Sequence, residues 1–182
     1  MPRIPAPASI EESPAAAQPL LEAVKKQLGV VPNLFRLVGN GPAALEGFLG
    51  LSGALAKGQL DAATRGRIAL AVAQSNGCDY CLSAHTYLGK NLIRLSDAEM
   101  AANRDGGSTD SKAAAAVRFA AEIVRTRGHV SDADLKAVKD AGYSDAQIIE
   151  IVLHVALNTL TNYVNVVAKT EIDFPVVTAR AA

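Results

Sequence analysis

Residues 144–169 constrain the fold more than any other stretch. Ile148, Ile149, Ile151, Val152, Leu153, Val155, Leu157, Leu160, Val164 and Val167 surround a helix here rather than line one face of it. A helix that is apolar all round must be covered, by other elements or by another chain. Ser144 is placed to cap its start. Residues 61–76 read the same way, with Asp61 as cap and Ile68-Ala69-Leu70-Ala71-Val72-Ala73 apolar on every side. Two such helices call for a helical core.

The other helices are marked by caps and stops. The pattern predicts a helix over 14–28, with Ser13 as cap, Pro14 at its first position and Gly29 as stop. A short helix after Pro32 can be capped by Asn33. Further helices are expected over 42–57, from the cysteine motif to about 90, over 110–127, and from Ser131 until Gly142. Ser96-Asp97-Ala98-Glu99 has the form of a capping box. Ile172-Asp173-Phe174-Pro175 reads as extended. Alanine is abundant and β-branched runs are short, so the fold expected is all-α. At 182 residues the chain suits one domain: an extended arm over 1–13 and one all-helical domain over 14–182.

Charge excludes some partners. Lys plus Arg is 18 and Asp plus Glu is 18, so no basic excess is left to neutralise phosphates, and nucleic acid is not an expected partner. Tryptophan is absent and aromatics are 4%, which leaves no platform for stacked bases. The first residues are broken by Pro2, Pro5, Pro7 and Pro14 and lack an apolar leader. No uninterrupted apolar run reaches about 18 residues, so no membrane span is expected. The expected location is cytoplasmic. In a reducing compartment two cysteines three apart point to redox or metal chemistry rather than to a permanent staple.

Those cysteines lie in Ser75-Asn76-Gly77-Cys78-Asp79-Tyr80-Cys81-Leu82-Ser83-Ala84-His85. Cys81 and His85, at i and i+4, share a helix face. Cys78 falls at the helix start, where free N–H groups favour a thiolate. A thiolate attacks a peroxide bond and becomes a sulfenic acid, and a neighbouring thiol condenses with it to a disulfide. Pairing with His85 makes Cys81 the attacking thiol and Cys78 the resolving one. Other readings stay open. A zinc site would need His129, His154 or an acid as fourth ligand, and no second C-x-x-C exists. A thioredoxin-like motif would need a βαβ context. Two inert buried cysteines remain a third reading. His129 reads as solvated, and His154 as a buried histidine bonded to a carbonyl. Tyr80 could line a pocket or simply pack. Asn162 and Asn165, polar in an apolar helix, are expected to hydrogen-bond across a helix pair or a subunit contact. A weak internal repeat at an offset of 84 residues pairs Cys78 with Asn162, Cys81 with Asn165 and Gly66 with Glu150. In it each copy is an apolar helix followed by a polar break.

The segment from Ala71 to His85 resembles the core signature of the carboxymuconolactone decarboxylase and AhpD-like alkylhydroperoxidase family, with the likeness strongest over 43–95. Leu28-Gly29-Val30-Val31-Pro32-Asn33-Leu34-Phe35 and the segments around Asn162-Tyr163 and Glu171-Ile172-Asp173-Phe174-Pro175 resemble its peroxidase-related branch. The resemblance implies an AhpD-like helical bundle that assembles into homo-oligomers, trimers or hexamers. It implies hydroperoxide reduction without cofactor, metal or haem. Cys81 would attack, Cys78 resolve, His85 relay protons, and a lipoyl or thioredoxin-like dithiol reset the disulfide. Peroxidase members carry a relay glutamate twelve residues before the first cysteine, and this chain has Gly66 there, with Glu150 as a candidate stand-in. The alternatives are a non-enzymatic redox sensor and a carboxymuconolactone decarboxylase-like enzyme.

Overall fold

The computed structural model describes residues 1–180; the last two residues of the expected 14–182 domain lie outside them. Every regular element among the described residues is helical. In chain order they are α1 (Gln18–Leu28), α2 (Asn33–Val38), α3 (Pro42–Leu55), α4 (Ala62–Ser75), α5 (Asp79–Leu88), a π-helical turn (Gly89–Ile93), α6 (Asp97–Arg104), α7 (Ser111–Thr126), α8 (Asp132–Asp140) and α9 (Asp145–Ala168).

Helix α4 is the hub and packs against α5, α6, α7 and α9. Its apolar middle is wholly buried, as its all-round pattern requires. It joins two apolar clusters. Leu70 and Ala73 face one with Leu21, Leu45, Phe48 and Leu82, and this cluster also contains both cysteines. Ile68 and Val72 face the other with Phe119, Ile123, Ile151 and Val155. Helix α9 buries one face on α3, α4, α5 and α7. By length and composition it could cross a membrane, but its buried face marks it as a core helix. Its other face is open, with Ile149 61%, Tyr163 59% and Val167 58% exposed.

Local capping chemistry acts as expected at three helices. Asp61 accepts from Thr64 N at 2.7 Å, and Ser131 and Ser144 form full capping boxes. At α1 and α2 other partners take the expected cap's side chain. Helix α1 starts at Gln18, not at 14, and its N-cap is Ala17. The Ser13 hydroxyl donates to Ser9 O instead. Asn33 does not cap α2: its Nδ2 donates to Glu171 O, and its own N–H donates to Asp173 Oδ2 at 2.8 Å. The C-terminal segment therefore caps α2 from 140 residues away in sequence.

Ser96 caps α6, but Glu99 does not complete the box. Its buried carboxylate accepts from Arg67 Nε at 2.7 Å, Asn103 Nδ2 at 2.9 Å, Ser108 Oγ, Thr109 N and the Thr109 hydroxyl. Burial alone would raise its pKa, yet the donors Ser108, Thr109 and Asn103 hold it far below the usual carboxylate range. Glu99 thus ties α4, α6 and the loop before α7 together.

Candidate active site

The turn between α4 and α5 presents the cysteines. Gly77, at φ +65°, reverses the chain. Gly77 N donates to Gln74 O, and Cys78 N donates to Ala73 O at 3.0 Å, the pair of bonds that closes a helix on a left-handed residue. Cys78 becomes the N-cap of α5, and its sulfur accepts from Cys81 N at 3.3 Å. Both thiols are free and buried, with Cys78 1% and Cys81 3% exposed.

The two sulfurs differ. The Cys78 thiol donates to Cys81 Sγ across 2.7 Å, and Asn165 Nδ2 donates to the same sulfur at 3.3 Å. The hydrogen bond from Cys78 lowers the Cys81 pKa against the opposing effect of burial, with help from Asn165, Asn162 and Thr161. Its donor role and then burial push Cys78 far up. A thiolate is therefore best held on Cys81. The asymmetry has a different cause from the one read from spacing. Among the described residues Cys81 Sγ is hydrogen-bonded by Cys78 and Asn165, not by His85.

His85 lies one turn further along α5, and burial lowers its pKa to about 4 against a smaller opposing effect of the Asn158 side chain. The ring is neutral near pH 7, as is the buried His154, whose pKa burial also lowers. Between about pH 6.5 and about 4 the unfolded chain binds protons that the native chain refuses. Stability is fully present above that window and falls as acid is added through it. Urea melts at intervals across the window should show a falling midpoint, with a shallower fall for His85→Gln; a flat midpoint would contradict these environments.

Other expected residues stand elsewhere. His129 is exposed, as expected. His154 is buried, but its Nε2 has no partner. Tyr80 packs: its hydroxyl accepts from Leu34 N at 3.1 Å and its ring meets Phe174 edge-on. Among the described residues no three His, Cys, Asp or Glu side chains converge as a metal site.

Glu150 is not a stand-in for the relay acid. It accepts from Gln59 N and Leu60 N. It also precedes Asn165 by fifteen positions on one continuous helix, roughly 22 Å along the axis at 1.5 Å per residue. At Gly66 a Cβ would lie 2.6 Å from Ile93 Cδ1, so the end of the Ile93 side chain has to turn aside for any side chain to enter. Ile93, in the π-helical turn, fills the place a side chain would take. Gly66→Glu is expected to destabilise the fold by no more than about 1 kcal/mol, because only the end of Ile93 must turn aside, with a smaller cost of the glutamate when it is added to an Ile93→Ala chain. Thermal melts in both backgrounds check this, and equal costs would contradict it. The internal repeat also fails in detail. Helix α9 runs unbroken where a polar break was expected, although Cys81 and Asn165 do touch.

The asparagines are what spacing did not assign to the thiols. Asn158, Thr161, Asn162 and Asn165 form a buried polar stripe on α9. Asn76, the C-cap of α4, donates from Nδ2 to Asn162 Oδ1 at 2.9 Å. The signal was present: polar residues spaced three and four apart in an otherwise apolar helix must find polar partners.

Comparison with known proteins follows the same line. Residues 42–123 match the model of the carboxymuconolactone decarboxylase family, a span that reaches beyond the expected 43–95 into α7. No functionally curated sequence matches the chain. A peroxidase-related protein from Silicibacter sp. TM1040 has a similar structure, at TM-score 0.79 and 24% identity over 93% of each chain. A peroxidase-related protein with an alkylhydroperoxidase AhpD core, from Ralstonia eutropha JMP134, reaches TM-score 0.79 and 24% identity over 94% of this chain and 92% of its own. The debrominase Bmp8, in complex with 2,3,4-tribromopyrrole, gives TM-score 0.77 and 20% identity over 92% and 90%. The family match thus spans somewhat less than half of the chain, over residues 42–123, and the whole chain shares the all-helical fold of AhpD-like, peroxidase-related structures.

Proposed function

We propose that the protein is a thiol-dependent hydroperoxide reductase. The observation that carries this is the close pairing of the two sulfurs, 2.7 Å apart, with Asn165 Nδ2 donating to the Cys81 sulfur, which favours a thiolate on Cys81 beside a protonated Cys78. The Cys81 thiolate attacks the terminal oxygen of the hydroperoxide. The O–O bond breaks, Cys81 becomes a sulfenic acid and an alkoxide leaves. The proton lost by Cys81 ends on the alkoxide, and His85 carries it. A ring with a pKa of about 4 holds a proton only in transit. Cys78 then attacks the Cys81 sulfur, water departs and a disulfide forms. An external dithiol, lipoyl or thioredoxin-like, reduces it by exchange.

The fold alone does not choose this reaction, since a debrominase shares it. The polarised thiol pair supports it over a lactone decarboxylase, which needs no cysteines. A redox sensor is the second reading. It is favoured by the burial of both sulfurs and by a glycine, not an acid, at position 66. Homo-oligomers, trimers or hexamers, would cover the open apolar face of α9, and sedimentation measures that state. The proposed setting is the cytoplasm, where dithiol reductants are maintained.

The test is hydroperoxide consumption with a lipoyl dithiol. Sustained turnover in the native chain is expected. No turnover, with a reversible disulfide between Cys78 and Cys81, would favour the sensor.

A further inference from the structure

Two buried polar atoms beside Cys81 have no partner: Asn162 Nδ2 and Asn165 Oδ1. Their residues are 0% and 3% exposed. Leaving such groups unpaired is costly, so a buried donor without an acceptor calls for a reason. The orientation of Asn162 is set from behind. Its Oδ1 accepts from Asn76 Nδ2 at 2.9 Å, which leaves Nδ2 as the free donor. Its carboxamide lies close enough to Cys81 to favour the thiolate, yet no hydrogen bond to the sulfur forms. Asn165 Nδ2 does bond the sulfur, at 3.3 Å. One donor is engaged with the nucleophile, and a second waits next to it.

We propose that Asn165 and Asn162 are a catalytic donor pair: Asn165 Nδ2 holds the attacking Cys81 sulfur, and Asn162 Nδ2 receives the oxygen expelled as the O–O bond breaks. The role of Asn162 rests on the peroxide reading above; the role of Asn165 does not. In the step Cys81–S⁻ + RO–OH → Cys81–S–OH + RO⁻, negative charge moves from sulfur to the departing oxygen. A preorganised donor aimed at developing charge in a dry site has its largest effect there. The unpartnered Asn165 Oδ1 then accepts from the new sulfenic hydroxyl. Asn76 is a positioning residue that acts through Asn162.

The experiment compares two reactions of Cys81. Alkylation by iodoacetamide, resolved between Cys78 and Cys81 by mass spectrometry, reports the thiolate and expels no oxygen. Sulfenic acid formation with hydrogen peroxide or cumene hydroperoxide in a single turnover needs the oxygen to leave. Asn165→Leu should raise the pH midpoint of Cys81 alkylation by about one unit, tenfold less thiolate at a given pH below it. Asn162→Leu should slow sulfenic acid formation by about 10²-fold, measured above the midpoint, while alkylation there stays at the native rate. Asn76→Ala should slow the peroxide step less. Alanine replaces leucine at either asparagine if circular dichroism shows a fold defect.

An unmoved midpoint in Asn165→Leu overturns the role of Asn165. A native chain that forms sulfenic acid, with Asn162→Leu equally fast, leaves the peroxide reading standing and overturns the role of Asn162. A native Cys81 that alkylates readily but reacts with neither peroxide overturns the peroxide reading, and the role of Asn162 falls with it.

Discussion

Glu99→Ala is expected to lower the melting temperature by roughly 10 °C, from a loss of about 3–5 kcal/mol. The carboxylate is 3% exposed and accepts from Arg67, Asn103, Ser108 and Thr109. Removing it leaves a half-buried guanidinium and several inward-facing donors without an acceptor. Arg67→Leu should cost less, because the carboxylate keeps its other donors. Differential scanning calorimetry of both variants checks this order. A loss in Glu99→Ala below about 1 kcal/mol would show that the network adds little.

The largest effect on activity is expected at Cys81. Cys81→Ser should reduce hydroperoxide turnover by about 10³-fold or more, as removing a nucleophile does. Cys78→Ser should instead retain one round of peroxide reduction and then stall, because no resolving thiol remains. Rapid-mixing kinetics with excess hydroperoxide separate the two. A single burst in Cys81→Ser, absent in Cys78→Ser, would reverse the assignment.

Much of this architecture was legible in the sequence because local chemistry set it. Asp61, Ser131 and Ser144 cap the helices they precede. Gly77 marked the turn that presents the thiols. Two of the misread caps share one cause. Asn33 and Glu99 have the right local form for caps, yet the first is drawn to the C-terminal segment and the second to the loop before α7. Side chains with both a local and a distant partner available cannot be assigned from their neighbours in sequence alone. The same limit hid the site's electrostatics. Spacing put His85 beside Cys81, whereas tertiary packing put Asn165 there, 84 residues away. The Ile93 side chain against Gly66 was equally out of reach, since a π-helical turn has no strong local signature.

The most direct test of the central claim is to locate the first oxidation product. Cys78→Ser protein is treated with one equivalent of cumene hydroperoxide, a sulfenic-acid trap is added, and the modified residue is identified by mass spectrometry. The account predicts trapped sulfenic acid on Cys81. An unmodified Cys81 in that chain, together with trapped sulfenic acid on Cys78 in the Cys81→Ser chain, would contradict it.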